Sequence, residues 1–177
     1  MKNRGWGYTT PVKNRAYFLS IIVGLIGGLI SGVVKLGWEV MFPPRTIDRL
    51  TPPQILLESF GIKVQEMTYH FSGFTLAYPN FIIHFTFSIV CAIIYCFVAE
   101  IWPKVKLWQG CAAGLLFWFG AHILVMPLMG LTPPALELPF DEQLSEILGH
   151  ILWMWVIEIF RRDLRNRFTH KLDPECY

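Results

Sequence analysis

Three long stretches of the chain carry no charged residue, and they predict helices that cross a membrane. These stretches comprise 19 residues between Arg15 and Lys35, 33 between Glu66 and Glu100, and 30 between Lys106 and Glu137. A membrane-spanning helix needs about 20 mostly apolar residues to cross roughly 30 Å of hydrocarbon. The pattern therefore predicts three spans, at about 17–37, 80–101 and 107–129.

A fourth apolar block, about 142–161, is interrupted by Glu146 and Glu158. Its central sequence, ILGHILWMWVIEIF, is too hydrophobic for a surface helix, so we predict a fourth span. The expected fold class is an all-α membrane protein that forms one integral domain over 1–177. We expect the first span to be retained, because its apolar run exceeds the roughly 7–15 residues of a signal peptide and no A-x-A-like site follows it.

Lysine and arginine are distributed unequally between the two sides of this predicted bundle. The N-terminal tail, the 102–106 turn and the C-terminal tail hold 11 of the 15 cationic residues, and the opposite loops hold 4. Because cytoplasmic loops are enriched in Lys and Arg, both tails, 1–16 and 162–177, are predicted to be cytoplasmic. Two cytoplasmic termini require an even number of spans, which supports the fourth helix independently.

Helix signals also occur in the segment 38–79, on the predicted outer side. Thr51, Pro52, Pro53, the run ILLESF and Gly61 follow the order of a cap, a first turn and a helix stop. We predict a short amphipathic helix here that lies on the membrane or on the bundle. The other outer connection, 130–141, is rich in proline and is predicted to be a loop.

The composition is that of a protein surrounded by a lipid bilayer. Hydrophobic residues make up 54% of the 177 residues and charged residues 16%, and the mean hydropathy is +0.45. Soluble domains carry about 25% charged residues, and disordered chains are poor in apolar ones. The net charge of +2 gives no reason to expect a nucleic-acid partner. The cysteines form no C-x-x-C pair and are predicted to be small packing residues: Cys91, Cys96, Cys111 and Cys176.

Several ordered sequence strings resemble a known family. The strings are VVKLGWEVMFPPR at 33–45, KLWQG at 106–110, PLMGLTPP at 127–134 and GHILWMWVIEIFRRDLRNRFTH at 149–170. They are similar to the YagU-type bacterial inner-membrane proteins, and the resemblance covers nearly the whole chain. It implies a small polytopic helical protein of the bacterial inner membrane, loosely linked to survival in acid and without an assigned reaction.

Three histidines, His84, His122 and His150, lie inside predicted spans. At about 1.5 Å per residue from the outward ends of their helices, each is expected roughly 8–12 Å inside the outer leaflet. Ionisable groups inside a membrane are costly and are functional candidates by default. Three interpretations stay open for these side chains: packing with hydrogen bonds to helix neighbours, a protonatable cluster beside a water-filled cavity, or ligands for a haem or a metal ion.

Acidic residues share a helix face with His150. Glu142, Glu146 and His150 are spaced i, i+4, i+8, which would couple a carboxylate to the imidazole. Glu142, with Asp141, is interpreted as part of a solvated first turn near the positive end of the helix. For Glu146, one turn deeper, a structural and a functional role are both open.

Other charged residues lie near the ends of the spans. Lys35 and Glu39 are spaced i, i+4 at the outward end of the first span. We expect the lysine to snorkel to the interface, with an ion pair at the mouth of a cavity as the sharper alternative. Glu158, with Arg161 and Arg162, is interpreted as an interface anchor on the inner side.

Small residues recur every four positions on two spans. They are Ser20, Gly24, Gly28 and Gly32 on the first span, and Gly110 and Gly114 on the third. Such stripes let helix backbones approach closely. We expect the first stripe to form a close helix contact, between the subunits of a homo-oligomer or within one chain.

Catalytic fingerprints such as a P-loop, G-x-G-x-x-G or H-E-x-x-H are missing from the sequence, so an enzyme is not the favoured interpretation. The first hypothesis is a homo-oligomeric inner-membrane protein with a pH-sensitive His/Glu site that serves envelope or acid-stress homeostasis or permeation. The second is a haem- or metal-binding redox protein ligated by the intramembrane histidines. The third is a proton-coupled carrier, for which four spans per chain are few.

Overall fold

The computed structural model describes residues 5–46 and 49–173. Within them it confirms four helices that are long and apolar enough to cross a membrane, and a short helix between the first and second spans. The helices are α1 (Tyr17–Met41), α2 (Pro52–Ser59), α3 (Tyr78–Ile101), α4 (Cys111–Leu128) and α5 (Phe140–Thr169). Lys2 and Arg4 of the charge argument, and Cys176, lie outside the described residues.

Two span boundaries differ from the prediction. α4 begins at Cys111 rather than near 107, because the chain first forms a 3-10 turn over Pro103–Lys106 and then takes positive φ angles at 108–110. α5 continues to Thr169 rather than ending near 161, because buried arginines extend its packed face beyond the apolar run.

The capping signals of α2 act as predicted. Thr51 Oγ1 accepts a hydrogen bond from the Gln54 N–H at 3.4 Å, and Gln54 Oε1 accepts one from the Thr51 N–H at 2.9 Å. This reciprocal pair is a capping box, and Pro52 and Pro53 follow it in the first turn, where a missing N–H costs nothing. α2 contacts α3, so this helix packs on the bundle.

A β-hairpin between α2 and α3 is absent from the sequence prediction. Its strands, β1 (Thr68–Phe71) and β2 (Phe74–Ala77), pair antiparallel. Ser72 and Gly73 connect them with φ angles of 48° and 83°. Two positive φ angles in a two-residue turn match the twist of paired strands. The strands are short and lack a clear alternation of apolar and polar residues, so the sequence carries no strand signal in this segment.

α1 lies between α3 and α5, and its glycine stripe faces α3 of the same chain. A Cβ atom added at Gly24 or Gly28 would lie 2.6 Å from the Cα atom of Ile93 or Ile89. Ile93 and Ile89 are on α3, so the two backbones are in direct contact along this stripe. Of the two alternatives left open by the sequence, the structure shows the contact within one chain, because α3 covers the stripe.

The third span packs against the fourth through the second pair of small residues. A Cβ atom at Gly114 would lie 2.6 Å from the carbonyl oxygen of His150. Gly110 precedes α4 with a φ of 85°, and a Cβ there would lie 3.0 Å from the carbonyl oxygen of Met154. The buried apolar core continues from this contact toward α3, and its members are Ala92, Tyr95, Trp153, Met154 and Ile157.

Charged side chains inside the bundle form two networks, one near each end. We call the end with the 42–77 and 129–139 connections the loop end, and the end with the 102–110 connection and both described chain ends the terminal end. The loop-end network consists of Lys35, Glu39, Arg45, Arg49, Glu142 and Glu146. The terminal-end network consists of Glu100, Lys106, Glu158, Arg161, Arg165 and Asp173. Each network pairs cationic groups with an equal number of anionic groups, so neither carries a net formal charge.

Candidate functional site

Glu146 of α5 is the centre of the loop-end network. One carboxylate oxygen accepts a hydrogen bond from Lys35 Nζ at 3.1 Å, and the other accepts one from Arg45 Nη2 at 3.1 Å. Lys35 also donates to Glu39 at 2.7 Å. Lys35 and Glu146 are only 6% and 8% exposed. These contacts join α1, the connection after α1 and α5, and removing one partner of such a buried pair costs about 3–5 kcal/mol.

Two histidines approach the same carboxylate from different helices. Glu146 Oε2 lies 3.7 Å from His122 Nε2 and 3.6 Å from His150 Nδ1. His150 Nδ1 also lies 2.8 Å from the Glu146 carbonyl oxygen, so the neutral ring donates to that carbonyl and leaves Nε2 without a proton. The two rings meet edge to face, with their centroids 4.8 Å apart. A proton on either ring would therefore place positive charge beside a carboxylate already held by two cations.

His122 owes its position to an irregular part of α4. It lies in a π-helical stretch, Phe119–Val125. Pro127 follows this stretch; it has no N–H to donate, and its ring crowds the carbonyl group four residues earlier, so wider winding relieves the conflict. The resulting turn places His122 beside Glu146. A proline inside a predicted span is the sequence signal for this feature.

His84 does not join the other two histidines. Its Nε2 atom lies 3.0 Å from the carbonyl oxygen of Gly32, and its ring packs edge-on against Phe85. His84 therefore belongs to the contact between α1 and α3. Similar depth in the membrane does not bring three imidazoles together, because this helix turns its histidine toward α1. Of the four residues expected to form one polar site, the structure brings His122, His150 and Glu146 together and places His84 elsewhere.

Two sequence interpretations at the loop end are wrong. Lys35 does not snorkel, because its amine is buried between Glu39 and Glu146. Glu142 is not part of a solvated turn, because it is buried and accepts a hydrogen bond from Arg49 at 2.5 Å. The arginine that pairs with Glu142 lies on the irregular connection after α1, whose path over α5 has no periodic sequence signal.

A cavity of about 60 Å³ opens beside the network. Its lining includes Arg45, Trp118, His122, Thr132 and Glu146. The Thr132 hydroxyl is buried and has no hydrogen-bond partner among the described residues. A cavity of this volume has room for a few water molecules, which need polar partners such as this hydroxyl. Water in the cavity would reach His122 and Glu146 directly.

The cluster offers donors for a metal ion but does not fit one in this arrangement. Ligand atoms of His122, Glu146 and His150 lie within 4.8 Å of one another. Both oxygens of Glu146, however, already accept hydrogen bonds from Lys35 and Arg45, and a divalent cation would add positive charge beside those two cations. The two imidazole rings are in contact, so a haem does not fit between them.

The terminal-end network corrects a further interpretation. Glu158 and Arg161 are not interface anchors, because they are 4% and 2% exposed. Arg161 donates to both carboxylate oxygens of Glu158, at 2.6 Å and 2.8 Å, and the Tyr95 hydroxyl donates to Glu158 at 3.0 Å. Of the three residues interpreted as an anchor, Glu158, Arg161 and Arg162, only Arg162 is exposed. The sequence does not reveal this network, because the helices that form it are far apart in the chain.

Glu100 and Arg165 extend the network to the start of α1. Arg165 donates from Nε and Nη2 to the two oxygens of Glu100, with the Nη2 bond at 3.1 Å. Glu100 also accepts from the backbone N–H of Ala16 at 2.9 Å, and Arg165 donates to the Asn14 carbonyl at 3.2 Å. These bonds tie the beginning of α1 to α3 and α5.

Asp173, beyond the end of α5, completes the terminal-end network. It accepts from Lys106 Nζ at 2.5 Å and from Arg161 Nη1 and Nη2 at 3.0 Å and 2.5 Å. Burial opposes ionisation of the Asp173 carboxyl, but the hydrogen bonds and charges of Arg161 and Lys106 outweigh it and lower its pKa. Burial and the charge of Arg161 lower the pKa of the Lys106 amine, and Asp173 offsets part of that effect.

Comparisons with known proteins show the family of this chain. A family described as "Protein of unknown function (DUF1440)" matches residues 29–159, which include every member of the loop-end network. The chain is 43% identical over 192 aligned residues to the inner membrane protein YagU of Escherichia coli (strain K12), with 94% of each chain covered. No solved structure matches the chain.

Proposed function

This chain belongs to the DUF1440 family and is a polytopic membrane protein related to the inner membrane protein YagU, and we propose that its loop-end network, together with His122 and His150 beside it, is a proton-responsive site without a catalytic role. The observation that carries the proposal is the buried Glu146 carboxylate, which lies between two cations and two imidazoles beside a cavity. Imidazole is the side chain that takes up a proton between about pH 5 and 8. The proposed role is in envelope or acid-stress homeostasis, or in permeation under acid conditions.

Protonation would act through the charge balance around Glu146. With neutral imidazoles, the charges of Lys35 and Arg45 are balanced by those of Glu39 and Glu146. A proton on either histidine adds positive charge beside the two cations, and a proton on Glu146 removes the charge that holds them. Two like charges about 4 Å apart repel by about 4 kcal/mol at an effective dielectric constant of about 20. Acid therefore weakens the contact between Arg45 and α5.

The connection after α1 is the segment that responds. Arg45 and Arg49 tie it to Glu146 and Glu142 of α5, and Pro44 contributes to the cavity lining. When these ion pairs weaken, the connection moves away from α5 and water enters the cavity as far as His122. The site thus converts proton uptake into a change of shape at the loop end.

We place the loop end outside the cytoplasmic membrane and both termini in the cytoplasm. Support comes from the excess of Lys and Arg in the tails and in the 102–106 turn. In this orientation the cavity faces the compartment that becomes acidic first when the surroundings do.

We also propose that the protein is a homo-oligomer. Four spans per chain are few for a protein that encloses a path across the membrane. The glycine stripe of α1 is already covered by α3, so self-association would use another face. α4 buries the smallest share of its surface among the four spans, and Leu116 and Leu128 on it are exposed. The mass of the protein in mild detergent tests this part of the proposal.

Hydrogen exchange at the loop end tests the proton response. In lipid nanodiscs, peptides covering 42–55 should exchange faster at about pH 5 than at about pH 7 after correction for the intrinsic rate, because proton uptake at the site weakens the ion pairs that hold this connection to α5. Glu146→Gln should exchange fast at both pH values, since the uncharged side chain no longer holds Lys35 and Arg45. Glu66→Gln is the matched control, because Glu66 pairs with Lys63 in an exposed ion pair at 2.9 Å.

The proposal is contradicted if peptides 42–55 exchange at the same corrected rate at both pH values in the natural protein. It is equally contradicted if Glu146→Gln behaves like Glu66→Gln at neutral pH while both variants remain folded.

A further inference from the structure

The terminal-end network contains a carboxylate supplied by the tail after α5. Asp173 lies four residues beyond Thr169, the last residue of α5. Leu172 beside it is 88% exposed, and the hydrogen bonds of Lys171 are made to Thr169. Within the described residues, the tail is therefore held to the bundle mainly through the side chain of Asp173.

Three cations converge on this one carboxylate. Lys106 and Arg161 donate to it at 2.5 Å, and Arg165 Nε lies 3.4 Å from its other oxygen. Lys106, Arg161 and Arg165 are all at least nine-tenths buried. Arg161 engages both oxygens of Asp173, and this paired geometry suits a phosphate group as well as a carboxylate.

We propose that Lys106, Arg161 and Arg165 form a binding site for a singly charged phosphate group, and that Asp173 occupies it as an internal, displaceable substitute. The ligand class is a phosphodiester headgroup of an anionic lipid or the dihydrogen phosphate ion. Both present a negative charge with several oxygens to the same three cations.

Charge and donor count distinguish such a ligand from the tail carboxylate. Among the residues that the structure describes, Glu100 and Glu158 are the anions that pair with these cations when Asp173 is removed, so the three cations then exceed the two anions by one charge. A singly charged phosphate restores the balance. Arg165 Nη1 is buried and has no hydrogen-bond partner among the described residues. A carboxylate has two oxygens, whereas a phosphate group has additional oxygens that can accept from a further donor.

The position of the site favours the lipid form of this ligand. Lys106 belongs to the short turn between α3 and α4, and Trp102 and Trp108 flank it with exposed fractions of 37% and 69%. Exposed tryptophans gather at the level of the lipid headgroups. The site therefore lies at the depth where phosphodiesters are concentrated.

The test compares ligand-dependent stability in two variants. The melting temperature of Asp173→Ala should be about 5 °C higher in micelles containing phosphatidylglycerol than in micelles of phosphatidylcholine, since a bound ligand stabilises the folded state. Its apparent affinity should exceed that of the natural chain about tenfold, because the internal competitor is gone. Asp163→Ala is the matched control: Asp163 also lies at the terminal end of α5, but it pairs in the open with Arg167 at 2.8 Å.

Adding inorganic phosphate to phosphatidylcholine micelles distinguishes a lipid headgroup from the free phosphate ion as the ligand. Stabilisation of Asp173→Ala by phosphatidylglycerol alone identifies a lipid site, and stabilisation by inorganic phosphate as well identifies a site open to the soluble ion. If Asp173→Ala responds to neither anion more than Asp163→Ala does, the proposal is wrong.

The natural chain provides a second measurement that does not depend on a folded variant. Displacement of Asp173 frees the tail, so phosphatidylglycerol or phosphate should accelerate tryptic cleavage after Lys171 several-fold relative to phosphatidylcholine and chloride at equal ionic strength. An unchanged cleavage rate with both anions would overturn the idea of a displaceable tail.

Discussion

Ser88 joins three spans through one hydroxyl group. It donates to the Gly28 carbonyl of α1 at 2.7 Å and accepts from Trp153 Nε1 of α5 at 2.8 Å. It also lies 3.4 Å from the hydroxyl of Ser31. In lipid, no water can replace these partners, so a polar group of this kind holds the helices in one arrangement.

Ser88→Ala should lower the free energy of unfolding by about 1–3 kcal/mol, because the buried Trp153 N–H loses its acceptor. The measurement is the thermal midpoint in detergent. Ser59→Ala is the control, since the Ser59 hydroxyl bonds the Leu56 carbonyl on an exposed surface. Equal midpoints for the two variants would show that Ser88 does not stabilise the bundle.

Asp173 should give the protein a distinct acid dependence. Its pKa is lower in the folded protein than the ordinary 3.8, so its contribution to stability is present above that value and is lost as the pH falls through the folded pKa. The natural chain should therefore lose stability below about pH 4 more steeply than Asp173→Asn, as followed by thermal midpoints from about pH 3 to 7. If the thermal midpoints of the two proteins fall in parallel as the pH is lowered, the ion pairs of Asp173 do not stabilise the fold.

Some site residues can be found from the sequence and others cannot. Glu146 and His150 are visible because both lie on one helix and share a face. Arg45 is not, because it comes from an irregular connection whose path is fixed only when the helices pack. For His84, the depth in the membrane can be predicted from its position in the span. The side that its side chain faces depends on how the helices pack, and it faces α1.

At the scale of elements, the glycines of α1 let its backbone lie in direct contact with the backbone of α3. The stripe is visible in the sequence, but its partner is not, because a face of small residues suits any helix. Pro127 similarly marks an irregularity in α4 without showing that a π-helical turn will place His122 against α5. Local signals therefore locate these features, and packing decides what they contact.

Gly28→Ala should destabilise the protein by about 1–3 kcal/mol, because the new Cβ would lie 2.6 Å from the Ile89 Cα and force the two backbones apart. Gly37→Ala is the matched control on the same helix, since no atom lies within 4 Å of its Cβ position. The assembly mass in mild detergent should be the same for both variants. A smaller assembly for Gly28→Ala but not for Gly37→Ala would show that the stripe contacts another subunit.

At the scale of the whole molecule, the bundle has a charge-balanced network near each end and an apolar core between them. Interactions between helices in lipid gain little from the hydrophobic effect, so buried ion pairs and close packing fix their arrangement. The loop-end network borders a cavity, and the terminal-end network binds the start of α1 and the tail after α5. The two proposals place a proton response at one end and anion binding at the other.

The proposed orientation predicts that the loop end is accessible from outside the cell and the terminal end from the cytoplasm. In a background without the native cysteines, Lys63→Cys should react with a membrane-impermeant maleimide from outside intact cells, and Lys171→Cys should react only after the membrane is opened. Lys63 is 76% exposed at the side chain, so its reactivity reports the side of the membrane. Labelling of both positions from the same side would contradict the four-span topology.

The central claim is that the loop-end network takes up protons through His122 and His150 beside it, and nitrogen-15 NMR of these imidazole rings in lipid tests it most directly. Signals of His122 and His150 are assigned from single His→Asn variants. At least one of the two rings should change from neutral to doubly protonated as the pH falls from about 7.5 to 4.5, and Glu146→Gln should alter that transition. If both rings stay neutral throughout this range in the folded protein, or titrate identically with and without the Glu146 carboxylate, the network is a structural element and the proposed function is wrong.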